Sequence, residues 1–242
     1  MAYAHQPVPI PRNRLLASLP AAELAQLLPS LEPVELVQRQ VVFAPGERIE
    51  FVVFPESGWL SHLITLEDGD VGEVGLVGRE GMVGVSLLFG DDQTLAEIIV
   101  QAQGTALRLR AETFYDALDT VPTLRRRLLR YALALQTQIA QTAACNAHHH
   151  VEQRLARWLL TAHDRAEHDA FPMTHEFLSI MLGVRRAGVT VAAGALQRAG
   201  FIRYEKGHIE VTDRAGLETA SCECFDVVRR EFQRLLGPAA PP

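Results

Sequence analysis

The hydrophobic pattern of this chain passes from strand to helix period near residue 110, and that change limits the fold more than any other feature. From Val34 to about Arg110, apolar residues come in short alternating runs broken at "APGE", "PESG", "EDGD" and "VGREG". Alternation sends successive side chains to opposite faces, so each run reads as a half-buried strand. Breaks roughly 8–12 residues apart are those of an antiparallel barrel or sandwich. "TLAEIIVQAQGTALRLR" adds two more strands about a glycine, and from "TFYDALDTV" onward the period becomes helical. The predicted fold class is therefore α+β. An antiparallel β-roll of jelly-roll type occupies residues 1–120, a long helix 121–147, and a helical domain 148–242. Ahead of the strands, residues 1–13 read as a proline-rich arm and "RLLASLPAAELAQLLPSL" as a short amphipathic helix.

The long helix carries apolar or small residues at 124, 128, 132, 135, 139 and 142. Steps of four and three, averaging near 3.5, define a seam for another helix. If that helix belongs to a second copy, 121–147 is a dimerisation helix and the protein a two-fold homodimer. The next helix, "HVEQRLARWLLTAHDRA", places Val151, Leu155, Trp158, Leu159 and Ala162 on one face.

"MTHEFLSIMLGVRRAGVTVAAGALQRAGFIRYEKGHIEVTD" reads as a winged helix-turn-helix. Thr174 is a suitable N-cap, Glu176 suits the first turn, and Gly183 ends the first helix with a tight turn. Lys206-Gly207 makes the hairpin of the wing. In the second helix Val189, Ala192, Ala193 and Leu196 share the inner face. Ala187, Thr190, Val191 and Gly194 leave the outer face smooth, although Gly188 and Gly194 each cost a helix about 1 kcal/mol relative to alanine. A small outer face lets a helix reach base edges in a major groove. Arg185, Arg186 and Thr190 are the candidates for base contact. Thr174, His175, Arg203, Lys206 and His208 are the candidates for phosphate contact.

The net charge of −6 argues against a nucleic-acid partner only until its distribution is considered. Residues 1–145 hold 11 Lys+Arg against 17 Asp+Glu, and residues 146–242 hold 12 of each. The acidic excess lies wholly in the first part, leaving the second able to carry a basic face. No apolar run reaches the ~18 residues of a membrane span, and the N-terminus lacks an apolar signal core. The expectation is a cytoplasmic protein with no membrane partner.

With these stretches in place, the chain resembles the CRP/FNR family of bacterial transcription regulators, over nearly its whole length. "MTHEFLSIMLGVRRAGVTVAAGALQRAGFI" carries most of the likeness, with "FAPGE" and "GREGMVGVSLLFG" in the β-roll. The resemblance implies a homodimer on a pseudo-palindromic site in double-stranded DNA, with RNA polymerase as a further partner, and places Arg186 at the family's base-reading arginine. Cyclic-nucleotide-binding members hold ribose and phosphate with a Gly-Glu pair and an Arg-Ser pair. A gap-free match puts Gly84 and Val85 at the first pair and Leu95 and Ala96 at the second. Leu95 cannot neutralise a phosphate and Val85 cannot accept from a hydroxyl, so the usual cAMP mode is not expected. The iron–sulfur mechanism is excluded because no cysteine precedes Cys145.

Other chemistries find less support. His62 is the single histidine in residues 33–110, too few for a cupin-type metal centre and a weak haem ligand. Cys145, His148 and His149 could share one helical face, with His150 nearby, making a weak metal candidate. Cys222 and Cys224, read as helical, would point about 200° apart. No metal or cofactor and no enzymatic activity are expected. The competing functional reading is a ligand- or metal-sensing β-roll protein whose DNA binding waits on an unidentified effector.

Overall fold

The computed structural model describes residues 10–238, so most of the proline-rich arm lies outside the described residues. Asn13 starts the ordered fold. Its side chain caps α1 (Arg14–Ala17) by accepting from Leu15 N and Leu16 N, while Nδ2 donates to the carbonyls of Pro55 and Gly81. One buried amide thus fastens the first helix to the β-roll. α2 (Ala21–Leu27) adds Leu24 and Leu27 to the same core.

The alternating runs become seven strands: β1 (Glu32–Leu36), β2 (Val41–Phe43), β3 (Phe51–Pro55), β4 (Trp59–Thr65), β5 (Val71–Val77), β6 (Glu97–Ala102) and β7 (Gly104–Arg110). They form two antiparallel sheets, ordered β1-β7-β3 and β2-β6-β4-β5. Val52, Phe54, Leu60, Val77, Ile98 and Val100 are buried in the core of the roll. The glycine-rich stretch after β5 makes no strand. It becomes a 3₁₀ turn, Val85–Phe89, entered from Gly84.

α3 (Ala111–Thr120) leads into α4 (Pro122–His148), with Pro122 at the first position, where its fixed φ favours a start and its missing N–H costs nothing. The seam expected on α4 for a second copy is already covered. Leu124, Leu128 and Leu135 lie in the chain's own core, Ile139 packs against it, and Thr142 is buried. Spacing reveals that a helix has an apolar face but not what covers it; here the β-roll, α3 and the C-terminal helix do. The approach is close at Gly81, where a Cβ would stand 2.4 Å from the Tyr131 ring. Tyr131 in turn donates to Met82 O at 2.9 Å. A different stripe of α4 faces outward: Leu129, Leu133, Gln136, Ala140, Ala143 and Ala147, again at steps of four and three. Leu129 and Leu133 are each 46% exposed.

The C-terminal part comprises α5 (Val151–His163), β8 (Ala170–Pro172), α6 (His175–Leu182), α7 (Arg186–Arg198), β9 (Ile202–Glu205), β10 (His208–Val211), α8 (Arg214–Ala220) and α9 (Cys224–Leu236). The wing has a third strand that the sequence reading missed, in the order β8-β10-β9. α9 was also missed. It runs back along α4, and its Phe232 and Leu236 reach the core of the β-roll. Arg14 donates to the carbonyls of Gly237 and Pro238, so the end of α9 meets the start of α1.

The two parts share a core across their boundary. Trp59, Leu63 and Leu76 of the roll pack with Trp158, Leu178, Met181 and Phe171 of the C-terminal part. Two carboxylates sit at this joint. Glu80 receives Arg165 Nη2 at 2.6 Å and Nε at 3.0 Å, with both side chains about nine-tenths buried. Burial pushes the Glu80 carboxyl up, but Arg165 and the Gly78 amide outweigh it and hold it below its ordinary value. Glu73, on β5, accepts from Trp158 Nε1 and from Ser61 Oγ, each at 2.6 Å. Here burial prevails and raises its pKa from 4.5 to about 7.

The raised Glu73 fixes a sign for pH dependence. The folded chain keeps a proton that the unfolded chain releases above pH 4.5, so this group's contribution to stability falls as pH rises from 4.5 to about 7 and is level beyond. At about 1.4 kcal/mol per unit the span is on the order of 3 kcal/mol. Denaturant unfolding across that range should show the decline in the wild type and a flatter profile in Glu73→Gln. Parallel profiles would remove Glu73 as the cause.

Candidate nucleic-acid interface

α6 and α7 stand 107° apart about the Gly183 turn, where φ is +58°. A left-handed residue suits glycine, and the turn lets α7 leave the body of the protein. Thr174 Oγ1 accepts from Phe177 N at 3.2 Å as the N-cap of α6. Leu178, Met181 and Leu182 bury the inner side of α6, and α6 also packs on β5. Val189, Ala192, Ala193 and Leu196 bury the inner side of α7. Ala187, Thr190 and Val191 face solvent, Val191 at 66% exposure. A Cβ on Gly188 would meet nothing, so that glycine is not explained by packing within the chain.

Arg185 occupies the N-cap position of α7 and Arg186 its first turn; both are exposed. Arg186 Nε lies 4.0 Å from Glu176 Oε2 across the turn. The Thr190 hydroxyl bonds back to Arg186 O at 3.1 Å and faces His175 Nδ1 at 3.1 Å, which leaves its methyl group for an outside contact. His175 stacks on Tyr204 of the wing, with centroids 4.1 Å apart, and its Nε2 is buried without a partner. Burial first, and then the Arg186 charge, lower its pKa. The imidazole, stacked on Tyr204 and facing Thr190, joins α6, α7 and the wing.

The wing turns at Lys206 (φ +49°) and Gly207 (φ +81°), both left-handed as a two-residue hairpin requires. Gln197 Oε1 accepts from Tyr204 N at 2.8 Å and ties the wing to α7. Arg203 pairs with Glu210, Lys206 lies 3.6 Å from Glu205, and His208 Nδ1 lies 3.4 Å from Lys206 O. All three remain exposed. Arg198, exposed at the far end of α7, extends the cationic edge. Its lone position, more than three turns beyond the paired arginines, gave no signal in the sequence.

The four positions compared with the cyclic-nucleotide anchors lie as two neighbouring pairs. Gly84 holds φ +92° beside Val52, Val85 opens the 3₁₀ turn, and Leu95 is 87% exposed on the bend before β6, next to Ala96. His62 is buried on β4, where burial lowers its pKa to about 4. A cleft of about 580 Å³ lies instead between the roll and the C-terminal part, with Arg14, Arg79, Arg165 and Arg214 among its walls.

The weak metal candidates separate. His148 is exposed, while Cys145 and His149 meet Cys222 and Cys224. The expectation that Cys222 and Cys224 diverge fails because they do not share a helix. Cys222 lies in the linker ahead of Glu223, and α9 begins at Cys224.

A family described as the cyclic nucleotide-binding domain matches residues 33–121, and one described as the Crp-like helix-turn-helix domain matches 153–220. Solved structures share the architecture at low identity. FixK2 from Bradyrhizobium japonicum superposes with a TM-score of 0.68 at 14% identity, covering 79% of this chain and 98% of its own. A putative crp/fnr-family regulator from Eubacterium rectale gives 0.67 at 16%, covering 85% and 96%. A CRP-family transcriptional regulator from Thermus thermophilus gives 0.64 at 19%, covering 78% and 96%. A search of curated proteins found no sequence match.

The His175 environment can be read directly. Its imidazole should titrate with a midpoint below 6.5 by NMR, and Arg186→Ala should move the midpoint upward by removing one of its two causes. A midpoint at or above 6.5 would mean that the stacked, buried geometry does not hold in solution.

Proposed function

The chain belongs to the CRP/FNR family of transcription regulators, and we propose that it acts as a homodimer reading an inverted repeat in double-stranded DNA. The carrying observation is the outer face of α7, where exposed Arg185 and Arg186 begin a helix whose solvent side is nearly free of bulk. Such a helix enters a major groove N-terminus first, with an arginine bidentate to guanine and the Thr190 methyl against thymine. Arg203, Lys206 and His208 on the wing, with Thr174 at the start of α6, face phosphates on either side. His175 serves by holding Thr190 and Tyr204.

The second copy packs on the outward stripe of α4. Leu129 and Leu133 supply apolar contact, and Ala140, Ala143 and Ala147 allow the two helices to approach closely. Two copies of α7 then meet successive major grooves about 34 Å apart. The residues at 84, 85, 95 and 96 offer no cyclic nucleotide its usual anchors, so DNA binding does not require cAMP. A second reading, in which another effector is needed, draws support from the cleft between the two parts, which both arginines and carboxylates line.

Selection of bound sequences from a random DNA pool, without added ligand, should recover an inverted repeat. Arg186→Ala should lower specific affinity by about 1–3 kcal/mol with little effect on random DNA. An unchanged ratio of specific to random affinity would remove Arg186 from base reading. Leu129→Glu combined with Leu133→Glu should give a monomer by sedimentation that retains the wild-type circular dichroism. A dimer persisting in that variant would move the interface elsewhere.

A further inference from the structure

Three cysteines and a histidine from three segments converge on one point. The candidate ligand atoms of Cys145, His149, Cys222 and Cys224 all lie within 4.8 Å of one another. Cys145 Sγ is 3.5 Å from Cys222 Sγ, and Cys224 Sγ is 3.4 Å from His149 Nδ1. Around a tetrahedral zinc ion, bonds of about 2.3 Å to sulfur and about 2.0–2.1 Å to nitrogen place neighbouring ligand atoms about 3.5–3.8 Å apart. The Cys145–Cys222 and Cys224–His149 separations are close to that size, and the widest in the set stays within 4.8 Å.

Local structure explains the convergence. Cys145 and His149 are one helical turn apart at the end of α4, with His149 N still donating to Cys145 O at 3.0 Å. Cys222 precedes the N-cap residue of α9 and Cys224 follows it, so the bend between them brings both thiols to one side. All three cysteines are buried.

The surroundings suit an anionic metal–thiolate centre. His149 Nε2 lies 3.4 Å from Glu223 Oε1, which orients the ring and leaves Nδ1 for the ion, the usual outer partner of a ligating histidine. Gln141 Nε2 donates to Cys224 Sγ at 3.1 Å. Three thiolates around a divalent ion carry a net charge of −1. Two buried arginines stand near: Arg154 donates to Asn146 Oδ1 and to the Leu182 carbonyl, and Arg157 has its Nε buried without a partner. Buried arginines need negative charge nearby; Arg157 stands between Glu73 and Cys145, and Arg154 beside Cys145.

We infer that Cys145, His149, Cys222 and Cys224 form a closed four-ligand zinc site that clamps the end of α4 to the start of α9. Four protein ligands leave no open position, so the ion is structural and performs no hydrolysis. This site goes beyond the DNA-binding reading, and its test reads metal rather than DNA.

The test uses the full chain purified under reducing conditions without added chelator. Elemental analysis should find one zinc per chain. Three thiols should resist a thiol reagent until a chelator is added and then all react. Exchange with Co²⁺ should give the intense visible bands of a tetrahedral thiolate site. Cys224→His, which keeps four ligands, should retain metal with shifted cobalt bands. Cys222→Ser should bind metal at least tenfold more weakly. Apoprotein that is reduced and folded by circular dichroism, yet gives no such cobalt spectrum, would overturn the site. So would freely reactive thiols in the untreated protein, or a Cys145–Cys222 disulfide with no bound metal.

Discussion

The joint between the β-roll and the C-terminal part rests on carboxylates taken out of water. A charge in that position is costly unless it is paired, and the fold gives each carboxylate a different answer. Glu80 keeps its charge and is held by the two nitrogens of Arg165. Glu73 tends toward its neutral form and is held by the indole of Trp158 and the hydroxyl of Ser61. Both demand that α5 lie in one place against β5, because hydrogen bonds to a buried group fix angle as well as distance. The shared core of Trp59, Leu76, Trp158 and Met181 supplies the area, and the carboxylates supply the register.

The order of elements was legible because it follows from periodicity and turn chemistry. The alternating runs became strands, Pro122 opened the long helix, and Gly183 and Lys206-Gly207 marked two turns that residue type alone makes favourable. What local pattern did not carry was which distant segment covers a given face. The 124–142 seam was real as an apolar face, yet the chain itself covers it. Leu129 and Leu133 lie off that seam, and nothing in the spacing singled them out. α9 went unread, and with it the strand-free return to α4 that turns a scattered C-x-C into half of a four-residue cluster. Contacts such as Cys145–Cys222, 77 residues apart in sequence, leave no trace in local pattern.

The proposed DNA face is also less cationic than its arginine count suggests. Arg186 lies near Glu176, Arg203 pairs with Glu210, and Lys206 lies near Glu205. These exposed pairs contribute little to stability. They act instead as counterions built into the protein, which phosphates must displace. Under the proposed function, random sequence offers only the phosphates, so it meets a surface whose positive charge is partly cancelled. A matching site adds base contacts, and discrimination grows because the indiscriminate part of the attraction is kept small.

α9 has a mechanical meaning. A DNA-binding unit joined only through the α4–α5 junction would be a body on one hinge, free to swing in two directions. Here the chain runs back past that hinge and its far end is gripped by Arg14. The same part is also held along its inner face by the Glu80–Arg165 pair and the shared Trp158 core, so this second anchorage closes the hinge from the far side. Any rearrangement that moved α7 against the roll would have to release the far end of α9 as well, so the start and the end of the ordered chain act together as a latch on the α4–α5 junction.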